Sequence, residues 1–273
     1  MESQNNDYSL IILKPDFLEL DLFNELGCLF KQQKLKVICK SNILMDLDFV
    51  KKLYQWERLL YPIELASYLC KISMPVWIIQ GKDAIMKMLG IKQSLRKKYC
   101  KNPLQTLIHC PDTYKDFIRE FKLLNHKIGG IMKTNNQVEV IVFKDEKESG
   151  FKYLMLKRNA KKGGFWQPIT GNVELGETFE QAAIRESREE TGITEFVRLI
   201  DTGYFFDFFD DNRHQHEKVF AIEVEIKTNP TLSDEHTDFQ WATKEECLTK
   251  YLKYPGNIAG LKVLSQKLES ENG

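Results

Sequence analysis

The sequence carries no excess of either charge: 39 Lys and Arg balance 39 Asp and Glu, a formal net charge of zero. That balance removes the electrostatic case for nucleic acid or an anionic membrane surface as the main partner. Paired cysteine motifs are missing too. The six cysteines (28, 39, 70, 100, 110 and 247) are scattered, with no C-x-x-C among them. They read as free thiols of a reducing cytoplasm, not as a zinc or disulfide framework. No apolar run approaches the roughly twenty residues of a membrane span. The polar opening MESQNNDYS has no signal-peptide architecture. Glycine is sparse, which says nothing about chemistry. What remains, 42% hydrophobic and 29% charged over 273 residues, is a soluble globular protein long enough for two domains.

The densest pattern in the chain is residues 171–193, GNVELGETFEQAAIRESREETGI. Five residues separate Gly171 from Glu177, and seven separate Glu177 from Arg185-Glu186-Ser187-Arg188-Glu189-Glu190-Thr191-Gly192. Thr178 and Gln181 have capping-box spacing, and no proline interrupts the helix that follows. Gly192 stands where a left-handed residue ends it. Glu186, Glu189 and Glu190, at i, i+3 and i+4, are expected to share one helix face. Left alone, three such carboxylates repel. A hard divalent cation such as Mg²⁺, bound by a few carboxylates and substrate phosphates, removes the repulsion. Arg185 and Glu177 are expected to pair and hold the preceding loop on the helix, with Gly171 allowing close backbone approach. The bland alternative is a solvated acidic helix face. It needs neither the loop glycine nor the distant Glu177.

This spacing resembles the Nudix box, G-x5-E-x7-R-E-U-x-E-E-x-G-U, at every fixed position. Ser187 departs from it, standing where the family has a bulky apolar residue. The resemblance implies hydrolysis of a nucleoside diphosphate linked to a further group, with Mg²⁺ or Mn²⁺ held by Gly171, Glu186, Glu189 and Glu190. It spans roughly residues 137–273 and implies an α/β/α sandwich.

The first half interleaves strands and helices in the order of a ferredoxin-like α/β sandwich. Strands are expected at 8–13, 35–43, 75–80 and 104–108, with helices at 22–30, 49–56, 63–72, 84–89 and 114–124. Tyr8-Ser9-Leu10-Ile11-Ile12-Leu13-Lys14-Pro15-Asp16 resembles the opening of nucleoside diphosphate kinases. Ser94-Leu95-Arg96-Lys97-Lys98-Tyr99 and His109-Cys110-Pro111-Asp112 resemble that family's T-I-R-G-D-F and H-G-S-D. The resemblance implies that Lys14, Tyr54 and Arg96 contact phosphates, that His109 is the nucleophile and that Glu120 follows it as in the family. Cys110 and Pro111 replace the Gly-Ser that supports the histidine, most of a loop is absent between Gly90 and Ser94, and near residues 86–89 only Lys87 stands where an arginine is expected. A degenerate domain that binds a nucleotide or a partner, or shapes a homodimer, fits these departures.

The boundary is placed in the Gly-Gly-containing stretch NHKIGGIMKTNN, which divides residues 1–126, a linker at 127–136 and residues 137–273. Strands are expected at 137–144, 151–156, 196–209 and 219–226, with helices at 245–252 and 258–268. His214 and His216 read as part of a polar loop. Arg158 ends a strand facing the box, either as a phosphate ligand or as a surface charge. Trp166 is either core or a stacking platform for a base or pterin ring. Glu235-His236, with Trp241 following, resembles the E-H-x-x-x-x-W of dihydroneopterin triphosphate pyrophosphatases and dinucleoside polyphosphate hydrolases, which implies a metal-ligand or base role for Glu235.

The reading is a cytoplasmic, Mg²⁺-dependent pyrophosphohydrolase. Glu189 and Glu235 are its candidate bases, Arg185 and Glu177 its structural pair, and a nucleotide or pterin polyphosphate its small-molecule partner. The alternatives are a dinucleoside polyphosphate or ADP-ribose hydrolase, a phosphotransferase acting through His109, and a non-catalytic nucleotide sensor.

Overall fold

The computed structural model describes residues 7–70, 72–210 and 213–271; the polar opening at residues 1–6 lies outside the described residues. The chain divides into two compact units, residues 1–133 with 208–213 and residues 134–207 with 214–273. No helix among the described residues is long and apolar enough to cross a membrane.

In the first unit, β1 (Tyr8–Leu13) is buried along its whole length. Its continuous apolar run suits an interior strand covered on both faces. Helices α1 (Pro15–Glu19) and α2 (Phe23–Gln33) lead to β2 (Lys36–Ile43), then α3 (Leu47–Tyr54), α4 (Pro62–Leu69), β3 (Met74–Gln80), α5 (Ala84–Tyr99), β4 (Ile108–His109) and α6 (Tyr114–Ile128). The sheet order is β2-β3-β1-β4, with every pair antiparallel, which is the ferredoxin-like arrangement expected from the element order. Alternation along β1 splits the core. Tyr8, Leu10 and Ile12 pack with Phe49, Leu65 and Phe117, whereas Ile11 and Leu13 pack with Leu26, Met88 and Leu95.

In this unit α5 and β4 differ from the sequence reading. Helix α5 does not stop at Leu89 but runs through Gly90 to Tyr99. A mid-helix glycine costs about 1 kcal/mol. Burial of Met88, Ile91 and Leu95 at helical spacing offsets that, each apolar side chain contributing roughly 1.5–3 kcal/mol. The last strand is confined to Ile108–His109, because Leu107 takes a φ of 61°, although its carbonyl still accepts from the Lys14 amide in register with β1.

In the second unit, β5 (Thr134–Asp145) and β6 (Phe151–Arg158) are followed by β7 (Trp166–Gln167), β8 (Ile169–Asn172) and α7 (Phe179–Thr191). Then come β9 (Arg198–Asp210), β10 (Arg213–Glu223), β11 (His236–Ala242), the short α8 (Lys244–Glu246) and α9 (Pro255–Glu271). The mixed sheet has the order β11-β6-β5-β10-β9, with β7 on β6 and β8 on β5, and β10 runs parallel to β5. Val138, Val140 and Val142 face Ala182 and Ala183 of α7; Ile141 and Phe143 face Leu261 and Leu264 of α9. Helices therefore cover both faces, as in an α/β/α sandwich.

Helix α6 continues to Ile128 and β5 begins at Thr134, so much of the stretch read as a linker is regular structure. The helix expected at 245–252 is three residues of α-helix followed by a π-helical turn at Cys247–Tyr251. His214 and His216 lie on β10, paired beside Thr134 and Asn136, not in a loop. Both rings hydrogen-bond Asp207 Oδ1 at 2.9 Å.

Candidate active site

The box loop is fixed to its helix from both ends. Thr178 Oγ1 accepts from the Gln181 amide and the Gln181 side chain accepts from the Thr178 amide, closing the capping box. Gly192 ends α7 with a φ of 67°. Arg185 is the centre of the charge network. Its Nε and Nη2 donate to the two Glu177 oxygens, each at 2.9 Å, and Nη2 also donates to the Asn172 carbonyl at 2.8 Å. Nη1 donates to Glu186 Oε1 at 2.7 Å and to Glu189 Oε2 at 3.1 Å. This planar fork matches two carboxylate oxygens at once, a geometry lysine lacks. It holds the Glu177 carboxyl below the usual range and raises the guanidinium in turn.

The three helix carboxylates do not share one face in the expected way. Glu186 turns under the loop, and a Cβ on Gly171 would lie 1.8 Å from its Cδ. Glu189 points outward with 58% of its side chain exposed. Glu190 turns inward, 8% exposed, with its Oε2 3.6 Å from His236 Nε2. Arg185 draws the first two to its guanidinium, and the third meets β11 instead. Among the described residues, no three His, Cys, Asp or Glu side chains are already gathered as a metal cage.

The residues nonetheless fit a hard divalent cation. Burial pushes the Glu186 carboxyl up against the opposing pull of Arg185, so its ionised form gains from a nearby cation. Its seat exists only because Gly171 has no side chain. Ser187, where an apolar residue is usual, is buried with its hydroxyl satisfied by the Ala183 carbonyl at 2.8 Å, so the substitution leaves no orphan polar group.

The flanking residues arrive from β6, β7 and β11. Arg158 Nη2 stands 3.9 Å from Glu235 Oε2, and its guanidinium lies over the Phe165 ring. The Glu235 carbonyl accepts from the Asn159 amide at 2.9 Å, which ties the loop before β11 to the end of β6. Glu235 thus adjoins His236 in sequence, and His236 is the residue that reaches Glu190. The sequence assigns His236 no role of its own; its register opposite Arg158 supplies the link. Trp166 is half-buried, edge-on to Tyr251 at 5.0 Å, and packs with the α9-side core.

The first unit also brings its five expected residues near one another. His109 Nε2 lies 2.7 Å from Glu120 Oε2, and the Tyr54 ring meets the imidazole edge-on at 4.9 Å. Lys14 Nζ sits 5.4 Å from the Tyr54 ring centre and donates to Thr106 Oγ1 at 2.7 Å. Arg96 Nε donates to the Thr106 carbonyl at 3.4 Å. Burial, reinforced by Arg96, lowers the Lys14 ammonium to about 8. Lys92, which carried no sequence signal, is buried and reaches Asp112 at 2.6 Å and the Cys110 carbonyl at 3.3 Å. It ties down the segment in which Cys110-Pro111 replaces Gly-Ser. The Cys110 thiol is pushed up to about 11 by burial, so it is no nucleophile near neutral pH.

The NUDIX domain model matches residues 133–262. A dihydroneopterin triphosphate diphosphatase of Haemophilus influenzae is 30% identical over 131 residues, covering 42% of this chain and 78% of that protein. The chain belongs to the Nudix family. An octanoyltransferase of Myxococcus xanthus is 38% identical over 92 residues, and there the match takes in 32% of this Nudix chain and 25% of the relative's length. The N-terminal region of the Nudix chain is similar to a nucleoside diphosphate kinase of Clostridium perfringens, 22% identical over 131 residues, covering 44% of the chain and 92% of that kinase.

Proposed function

We propose that the second unit is a Mg²⁺-dependent pyrophosphohydrolase that cleaves a nucleoside, deoxynucleoside or pterin triphosphate to the monophosphate and pyrophosphate. The observation that carries this reading is the Arg185 fork, which seats Glu186 against Gly171 while leaving Glu189 exposed beside it. A divalent cation held by Glu186, Glu189, Glu190 and the Gly171 carbonyl supplies neutralisation of phosphate charge and acidification of a bound water. Glu177 and Arg185 keep the loop closed on the helix. Arg158 faces phosphate oxygens, and Glu235 or Glu189 takes the proton from the attacking water. The similarity to a dihydroneopterin triphosphate diphosphatase supports a pterin head group.

The test is product analysis with Mg²⁺ on nucleoside triphosphates, dihydroneopterin triphosphate, diadenosine polyphosphates and ADP-ribose, comparing wild type with Glu189→Gln. Monophosphate plus pyrophosphate from triphosphates, lost in the variant, is the expected result. Turnover unchanged in Glu189→Gln overturns the assignment. Cleavage of only the dinucleotide or ADP-ribose substrates moves the reading to that class.

A second reading concerns the first unit. The His109–Glu120 pair beside Lys14, Tyr54 and Arg96 supports binding of nucleotide phosphates there, as a regulatory site or as a phosphotransferase. Incubation with radiolabelled ATP separates the two. An acid-labile phosphoprotein lost in His109→Ala indicates transfer, and nucleotide binding without labelling indicates a sensor.

A further inference from the structure

The sheet of the second unit buries two carboxyl groups that hydrolysis does not use. Glu139 of β5 is fully buried and Glu217 of β10 is 3% exposed. The parallel register sets Val219 opposite Glu139 and Gln137 opposite Glu217, so the two glutamates are diagonal neighbours on adjacent strands. Alternation puts both on the face covered by α9, beside Ile141 and Val219, which pack with Leu261 and Leu264. Helix α9 is fitted to them. Asn257 Nδ2 donates to Glu139 Oε2 at 2.5 Å, and a Cβ on Gly260 would come within 3.3 Å of Glu139 Oε1. One oxygen of each carboxyl, Glu139 Oε1 and Glu217 Oε1, is buried without a hydrogen-bond donor.

Two ionised carboxylates in this position would be buried side by side, and no cation offsets them among the described residues. From β9 the titratable neighbour is Tyr204, whose hydroxyl Glu139 itself pushes up. On α9, Lys262 is exposed and Lys267 donates to the Asp201 carbonyl. On β10, Lys218 reaches Asp201 Oδ2, not either glutamate. The influences acting on the pair are burial, the Asn257 amide and each other.

We propose that Glu139 and Glu217 share a single proton, passed as a hydrogen bond between their two Oε1 atoms, and that this acid–carboxylate pair is a pH-sensitive clamp between the sheet and α9. One proton supplies the donor that both oxygens lack, and the remaining negative charge is met by Asn257. The proton belongs to the pair and to neither residue alone. Burial moves both groups upward, the direction that retention of a proton requires. The sign follows. The shared proton leaves the folded pair above the unfolded value of about 4.3, so the stabilisation it carries is complete below that pH and is lost as pH rises through the folded value of the pair. In that interval folding takes up the shared proton, and the equilibrium favouring docked α9 falls about tenfold per pH unit. Neither glutamate belongs to the phosphate site, so the clamp stands whether or not the hydrolytic reading does.

Glu217→Gln replaces the shared proton with an amide donor and so keeps the bond while removing its titration. Hydrogen exchange of the α9 amides in the full chain, wild type against Glu217→Gln, cancels the intrinsic pH dependence. The protection ratio of wild type to variant should fall about tenfold per unit from about pH 5 to about pH 7. The infrared spectrum of the wild type at neutral pH should contain the carbonyl stretch of a buried carboxylic acid, absent in Glu217→Gln. A ratio that does not change with pH, or no acid carbonyl in the wild type, overturns the proposal. Should the variant fail to fold, the wild-type infrared band decides alone.

Discussion

The two units hold their functional charges in opposite ways. Around the box helix one guanidinium gathers three carboxylates, two of them mostly buried and one, Glu189, largely exposed. Around His109 they are interior: Lys14 and Glu120 are almost fully buried, and each has its own short-range partner. The Arg185–Glu189 pair reorganises at little cost, because exposed ion pairs contribute only about 0–1 kcal/mol. A buried one is costly to assemble and resists rearrangement. The box is therefore suited to releasing Glu189 to an incoming cation while Glu177 and Glu186 stay seated. The His109 cluster is suited to holding a fixed arrangement.

The sharpest way to test that contrast is to neutralise one carboxylate of the box. Glu186→Gln keeps the shape and the Arg185 contact but removes the charge, so turnover should fall by on the order of 10²- to 10⁴-fold. Nucleotide binding by the first unit, followed by calorimetry with a non-hydrolysable triphosphate, should survive in the same variant. Loss of that binding as well would break the contrast.

Gly171→Ala comes next. The atoms its Cβ would strike belong to the Glu186 side chain and not to backbone, so the fold yields by swinging Glu186 aside. Turnover should drop roughly 10²-fold, as expected for a displaced catalytic group, while the melting temperature stays close to wild type. A large fall in melting temperature would instead assign Gly171 a packing role.

How much of each cluster was legible follows from the same contrast. The box is contiguous, and its capping box, terminal glycine and Arg185–Glu177 pair are consequences of local spacing. The inward turn of Glu190 was not legible, because it depends on β11 docking on β6 and setting His236 opposite Arg158. The His109 cluster draws Lys14, Tyr54, Arg96, Thr106 and Glu120 from separate elements, so only resemblance to a family pointed to it, and Lys92 escaped notice. The β10 histidines were misplaced for a different reason. β10 opens Arg213-His214-Gln215-His216-Glu217 beside the equally polar Thr134-Asn135-Asn136-Gln137 of β5, so both strands lack apolar alternation where they pair.

The interior character of the His109 cluster can be tested through Lys14. Its folded value, about 8, lies below the unfolded one, so folding releases a proton between about pH 8 and 10.4, and stability rises with pH across that window. Lys14→Met should abolish that rise. It should also stabilise the first unit by about 1 kcal/mol near neutral pH, since a buried ammonium is replaced by an apolar side chain of similar length. Nucleotide affinity should fall about tenfold, the worth of one charge-assisted hydrogen bond. Denaturation followed at two pH values, with and without nucleotide, measures all three. An unchanged pH slope would place the Lys14 ammonium in water.

The smallest effect is expected at the start of the box helix. Thr178→Ala removes the acceptor for the Gln181 amide and half of the capping box. Such losses cost about 1 kcal/mol of stability. Arg185 and Glu177 are left in place, and with them the tie between loop and helix, so kcat should change less than about threefold while the denaturation midpoint shifts. If turnover instead falls as far as in Gly171→Ala, the loop is held by its cap and not by the guanidinium fork. The guanidinium network would then be a consequence of the helix start, and the contrast with the His109 cluster would rest on backbone placement instead of charge.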